Sequence, residues 1–227
     1  MKILALDTAT EACSVSLGIG DRVIDRYVEL ERGHAERLLP MVDEVLAEGG
    51  LTLRSLDAIA FGRGPGGFTG VRLAASVAQG LAFGADLGVV PVSNLAAVAQ
   101  RAAQLAPGAG QVLVVNDARM REVYWALFRT AGGMATDAEH VSPAASVVLP
   151  AGGAVAKKWV AAGRGLKVYP ELAERCAGQG AEVHPDLLPR AAEILALARP
   201  IVAAGKFLDP AEALPVYVRD RVAEPSR

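Results

Sequence analysis

Apolar residues fill Ile3–Leu6 without a break, and between Cys13 and Ile19 they fall on every second position, at Cys13, Val15, Leu17 and Ile19. A period of two marks a strand with one buried face. Lys2–Leu6, Cys13–Ile19 and Arg22–Glu29 are separated only by a stretch that begins Asp7-Thr8-Ala9-Thr10 and ends at Ala12, and by a turn at Gly18-Ile19-Gly20-Asp21, and so predict an antiparallel meander. From His34 to Glu48 the period changes. Leu38, Met41, Val42, Val45 and Leu46 share one helical face, and Gly49-Gly50 ends the helix.

The apolar run Asp57–Phe61 predicts a short buried strand that feeds a stretch unlike any other in the chain. Five glycines and one proline stand between Gly62 and Gly70, and a nearly uncharged helical segment, Val71–Phe83, follows. Strand, glycine turn and helix start is a geometry that aims backbone N–H groups at an anion. The same glycines also suit a turn shaped only for close packing. Gly62, Gly64 and Gly67 satisfy G-x-G-x-x-G, but the next strand, Val89–Val92, ends in Ser93 and not in an acidic residue. A Walker-type loop would need a Gly-Lys-Ser/Thr, and no lysine is present here. Ser93 then caps a helix from Asn94 to about Gln104, and Pro107-Gly108-Ala109-Gly110 reads as a linker between domains 1–106 and 107–227.

The second half repeats the first. Gln111–Asn116 is apolar and ends in Asp117, as the first strand ended in Asp7. Val123–Phe128 and Thr136–Val141 predict two more strands divided by Gly132-Gly133, and Ser142-Pro143 opens a short helix. Trp159–Ala162 runs into a second glycine turn, Gly163-Arg164-Gly165. After a strand at Glu182–His184, Asp186–Gly205 carries Leu188, Ala192, Leu195 and Ala198 at helical spacing. The chain as a whole predicts an α/β fold made of a duplicated βββαβαβα unit: two lobes with a cleft between them, the C-terminal tail packing back on the first.

Composition narrows the class. Of 227 residues, 52% are hydrophobic and 21% charged, which is a globular balance. The net charge is −2 with no basic run, which argues against autonomous nucleic-acid binding. No apolar run approaches the roughly 20 residues of a membrane helix, and the chain starts directly in a strand, so neither membrane nor export signal is expected. Two cysteines, Cys13 and Cys176, are too few for a disulfide framework and point to a reduced cytoplasmic setting.

Candidate chemistry is sparse. His34, His140 and His184 are scattered, with no second ligand three or four positions after His34, so no metal site is expected. G-x-S-x-G and H-E-x-x-H are absent, and neither cysteine has an adjacent histidine, which leaves no hydrolase signature. Asp7 and Asp117 stand at the ends of the two first strands; Asp7 can cap its own turn with Thr8 and Thr10, and Asp117 can pair with Arg119.

Five motifs in register carry a resemblance: D-T-A-T at 7–10, H-A-E-R-L-L-P at 34–40, G-P-G-G-F-T-G-V-R at 64–72, D-A-R-M-R-E-V-Y at 117–124 and P-V-Y-V-R at 215–219. Together they resemble the TsaB (YeaZ) family over nearly the whole chain. The departures are Gly67, where the family commonly has serine, and Ala9, which replaces a serine. The resemblance implies a ribonuclease H-like, actin-like ATPase fold. It also implies a non-catalytic subunit of the machinery that makes N6-threonylcarbamoyladenosine at position 37 of tRNAs reading ANN codons. Its implied partners are the catalytic paralogue TsaD, as a heterodimer, and TsaE, with a homodimer when alone and tRNA reached only through the complex. No catalytic residue and no firmly bound cofactor follow, with at most weak ATP or ADP binding in a vestigial nucleotide cleft of Asp7, Thr8, Thr10, Gly64, Gly66, Gly67, Thr69 and Asp117.

Val71–Phe83 is apolar on every side, and a helix of that kind needs cover all round. Its expected partner surface is His34, Leu38, Leu39, Val42 and Leu46 from the first helix with Val71, Ala74, Ala75, Ala78 and Leu81 from the second, as half of a four-helix bundle. Internal burial of both helices is the competing expectation. A small-molecule kinase or ATPase using Asp7 and the Gly64–Gly67 loop is the alternative function, and a self-contained tRNA-binding module is a third.

Overall fold

Strand β1 (Lys2–Asp7) is covered on both faces, which is why its apolar run is unbroken: Leu4 and Leu6 face one layer of helices, Ile3 and Ala5 another. The structure, a computed structural model, describes residues 1–130, 135–136, 138–150 and 158–219. Around β1 lie β2 (Ala12–Ile19), β3 (Arg22–Glu29), β4 (Ala58–Gly62) and β5 (Gly88–Val92) in the order β3-β2-β1-β4-β5. The meander is antiparallel, with Leu4 opposite Leu17, while β1, β4 and β5 run parallel. Helices α1 (His34–Gly49) and α2 (Phe68–Ala85) cover one face of this sheet.

The second sheet repeats the order: β8 (Ala135–Thr136), β7 (Glu122–Arg129), β6 (Gln111–Asp117), β10 (Trp159–Ala162), β11 (Ala181–His184), with β9 (His140–Pro143) also on β7. Its central strand β6 is likewise buried on both faces, Val112 and Val114 to one side, Leu113 and Val115 to the other. The duplicated βββαβαβα architecture is therefore present, and its actin-like fold is seen in the repeated strand order.

Each half lends its last helix to the other. Helix α3 (Asn94–Leu105), capped by the Ser93 hydroxyl on the Ala96 N–H at 3.1 Å, packs Leu95, Val98 and Ala102 on the second sheet. Helix α6 (Ala191–Ala203) packs Ile194, Leu195 and Ala198 on the first. The 206–219 segment follows α6 along the first sheet's edge, where Leu208 pairs with Val89, and the Val216 N–H donates to the Arg63 carbonyl at 2.7 Å. The 106/107 boundary thus divides the sheets but not the packing. Helices α4 (Gly165–Val168) and α5 (Pro170–Gly178) cover the outer face of the second sheet through Leu166, Leu172 and Cys176.

Two expectations need correction, and one helix was not expected. The helix expected from Asp186 begins at Ala191, because Pro189 disfavours helical backbone at Leu188. The helix expected after Ser142-Pro143 is a single 3-10 turn, Ala144–Ser146, preceded by a strand. Helix α5 was not foreseen, although Pro170 at its first turn and Leu172 with Cys176 one turn apart were legible signals. The expected Gly132-Gly133 turn and the chain beyond Arg219 lie outside the described residues. No helix among the described residues is long and apolar enough to cross a membrane.

Candidate functional site

Asp7 ends β1 directly beneath the glycine turn and is fully buried. Asn94, the first residue of α3, donates from Nδ2 to Asp7 Oδ1 at 2.7 Å, and its Oδ1 accepts the Gly64 N–H at 2.7 Å. A side chain at Gly62 would run into the Asp7 carboxyl, so the strand end is glycine for clearance. Burial pushes the Asp7 carboxyl up to about 7, against the lowering effect of the Asn94 amide and the Ala9 and Thr8 N–H groups. Among the described residues, Asp7 Oδ2 has no hydrogen-bond partner.

The glycine turn closes on the first hairpin rather than on open space. The Gly67 N–H donates to the Ala9 carbonyl at 2.7 Å, and the Thr8 hydroxyl donates to the Gly70 carbonyl at 2.7 Å. A Cβ at Gly66 or Gly70 would collide with the backbone of Ala9 or Thr8. Gly64 takes φ 102°, a backbone that favours glycine. These glycines permit close approach of two backbone segments of the same chain.

Above this contact lies a cleft of about 740 Å³ between the lobes. Thr8, Thr10, Gly66, Gly67, Thr69 and Asp117 line it, whereas Asp7 and Gly64 sit behind its wall. His34 also turns into it, with Nε2 2.9 Å from the Thr10 carbonyl. Asp117 accepts the Arg119 N–H at 3.0 Å and pairs with its guanidinium at 3.2 Å. Arg119, Met120 and Arg121 form the hairpin tip with φ of 60°, 53° and 62°, all left-handed. The rims are bridged across the lobes by Arg164 to Glu29 at 2.8 Å and Arg119 to Glu11 at 3.6 Å. Behind the cleft Glu139 holds Arg63 at 3.2 Å and accepts from the Ser93 hydroxyl. Arg72 lies between the rings of Phe68, 3.2 Å from its centroid, and Tyr217, which ties the 206–219 segment to the head of α2.

The expected partner surface needs correction. Leu38, Val42, Val71, Ala74, Ala75 and Ala78 are buried in the chain's own core and cannot touch another molecule. The reason is geometric: at about 100° per residue, these positions share the sheet-facing side of their helices. His34 belongs to the cleft, as described. Leu39 is exposed, and Leu46 and Leu81 are half-buried. The side of α2 opposite its buried stripe carries Gly80 and Gly84, both exposed, with Leu73 and Val77 half-buried against the core, beside Phe83, which is 81% exposed. Asn94, Asn116, Glu139 and Arg164 escaped the sequence reading. Their only signals were a polar residue directly after a helix cap, or next to a strand end.

The family described as "TsaD: tRNA N6-adenosine threonylcarbamoyltransferase" matches residues 28–224. The tRNA threonylcarbamoyladenosine biosynthesis protein TsaB of Escherichia coli (strain K12) is 40% identical over 226 residues, 98% of this chain and 96% of its own length. The protein of the same name from Haemophilus influenzae is 55% identical over 125 residues, which cover 55% of this chain and 52% of that protein. The solved structure of YeaZ from Pseudomonas aeruginosa superposes with a TM-score of 0.82 at 41% identity, covering 95% of this chain and 99% of that one.

Proposed function

The chain belongs to the TsaB family of tRNA threonylcarbamoyladenosine biosynthesis proteins, and from that membership we propose that it is a non-catalytic scaffold and activator subunit. It serves the formation of N6-threonylcarbamoyladenosine at position 37 of tRNAs reading ANN codons. The observation that carries the non-catalytic part is the burial of Asp7, the carboxylate best placed by topology to orient a metal or phosphate, behind the cleft wall and on Asn94. The glycine turn adds to it, since its Gly64 and Gly67 N–H groups are committed to protein acceptors. ATP or ADP binds at most weakly to such a cleft. A kinase or ATPase would need that carboxylate in the cleft.

The partner part draws on the outward face of α2. Exposed Phe83 and the open positions Gly80 and Gly84, flanked by Leu73 and Val77, which are half-buried against the chain's own core, leave an apolar strip whose small residues let another helix come close. TsaD, the catalytic paralogue, covers this face together with Leu39 and Leu46 of α1. A second copy covers it when TsaD is absent, TsaE joins the pair, and tRNA is engaged only by the assembled complex in the cytoplasm. Reconstitution tests this. With threonylcarbamoyl-AMP and tRNA, the purified chain alone should form no modified nucleoside, while its addition to TsaD and TsaE should restore formation. Unchanged turnover when this chain is omitted would end the proposal.

A further inference from the structure

A second groove, of about 520 Å³, lies between the C-terminal end of α2 and the segment that runs along β5, and shares no residue with the cleft. Its walls are apolar and open to solvent, since Phe83, Phe207 and Leu208 are all exposed. They are also fixed in place. Leu208 and Val89 exchange both backbone hydrogen bonds, at 2.9 and 3.0 Å. A Cβ at Gly88 would lie 2.3 Å from the Phe207 ring, so glycine lets that ring rest on the strand. Two exposed carboxylates, Asp86 and Asp209, line the same groove. Asp209 accepts the Ala211 N–H at 2.8 Å. The Asp86 side chain forms no hydrogen bond or ion pair among the described residues.

Charge decides what fits there. Helix α2 has no basic residue in its last turn and ends in Asp86, an acid at the negative pole of the helix dipole, where a cation is stabilising. Among the described residues no lysine or arginine lines the groove, and Lys206, next in sequence to Phe207, pairs with neither aspartate. A nucleic acid backbone would be repelled by the same carboxylates. An occupant that is apolar along its stem and positive at its tip meets both the rings and the acids, and a lysine or arginine side chain has that form. We infer that the groove anchors one basic side chain of the protein that covers α2. Its methylenes lie on the apolar wall, and its charged group meets the Phe83 and Phe207 rings and the Asp86 and Asp209 carboxylates. Phe83 belongs both to the groove and to the outward face of α2, so the anchor continues that pairing surface. It rests on the scaffold reading and adds the chemistry of the partner's contact.

Calorimetric titration of TsaD into the full chain, at low and at high salt, tests it. Asp86→Asn supplies a residue that tolerates the left-handed backbone at φ 59°, and Asp209→Asn can still cap Ala211, so the pair removes charge without disturbing the fold. The double variant should bind TsaD at least about fivefold more weakly, with a shallower dependence on salt. Phe83→Leu keeps an apolar side chain but loses the ring, and should weaken binding several-fold; it decides the matter if the double variant does not fold. Affinity and salt dependence equal to wild type in the folded variants overturn the anchor and leave the scaffold reading standing. A weakening confined to self-association of the chain, followed by light scattering, also overturns it, because a second copy would then be the occupant. A wild type that does not bind TsaD at all ends the scaffold reading and the anchor with it.

Discussion

Asn94 grips Asp7 across 87 positions of sequence: one arm of its amide donates to the carboxyl at 2.7 Å, and the other accepts the Gly64 N–H at the same distance. The strand end, the glycine turn and the start of α3 are thereby joined through one side chain. Because both its contacts are buried, Asn94→Ala would leave the Gly64 N–H unpaired and Asp7 without its main stabilising donor. Such losses cost about 2–4 kcal/mol in total. Urea unfolding should show the extrapolated unfolding free energy falling by that amount with an unchanged slope. A variant as stable as the wild type would mean the bridge contributes nothing.

Asp7 also sets a pH dependence. Its folded carboxyl is pushed up to about 7 by burial, while an unfolded aspartate titrates near about 3.9. Between these values the native chain holds a proton that the unfolded chain has released, so stability falls as pH rises through the window and levels off above it. Asp7→Asn cannot titrate. Its unfolding free energy, compared with wild type from pH 4 to pH 8, should lose this slope, the difference reaching on the order of 4 kcal/mol. Parallel profiles for the two proteins would show that Asp7 is not held in a raised state.

Glu139 is the lock between the lobes. Its carboxylate, only 10% exposed, holds Arg63 at 3.2 Å and accepts from the Ser93 hydroxyl that also caps α3. Glu139→Ala should cost about 1–2 kcal/mol, more than an exposed ion pair contributes, because the contacts are partly shielded from water. Hydrogen exchange should quicken at the start of α3 and at Arg63. No change in either region would show that the lobes are held elsewhere.

How much of this was legible beforehand differs by element. The meander, both glycine turns and the repeated order of strands follow from periods of two and 3.6 and from runs such as Ile3–Leu6, signals carried by the local sequence. Helix α2 shows where that reading stops. A segment apolar on all sides says that every face is suitable for burial, but not which residues point at the sheet. That depends on the phase of the helix over β4, so periodicity offers Ala78 as a partner contact although it is wholly buried. Asn94 and Asn116 were invisible for a related reason. A lone asparagine acquires meaning only from what the fold sets opposite it, and for Asn94 that is Asp7, 87 residues away.

The corrected phase gives a sharper test of pairing. Gly80 is exposed, helical in backbone, and has open space where a side chain would begin. Gly80→Arg should therefore leave the monomer folded while placing a bulky cation on the outward face. Association with TsaD, measured by gel filtration or light scattering, should fall by at least tenfold. Intact pairing would move the interface off this face.

Two alanine substitutions in the same helix should have opposite effects, and together they probe the central claim about the glycine turn. At Gly80 alanine meets nothing and replaces the poorest helix former short of proline, so the isolated chain should gain about 1 kcal/mol. At Gly70 the same methyl would collide with the Thr8 carbonyl, a backbone atom that cannot rotate away, and would disturb the Thr8 hydroxyl bond to the Gly70 carbonyl. Gly70→Ala should cost more than about 2 kcal/mol despite the better helix propensity. Thermal melts of the two variants decide between the roles of the turn. If its glycines serve closeness between two segments of the same chain, only Gly70→Ala suffers. If Gly70→Ala is neutral, the hairpin and the turn can separate, the cleft floor can open, and a phosphate cradle becomes available again beneath it.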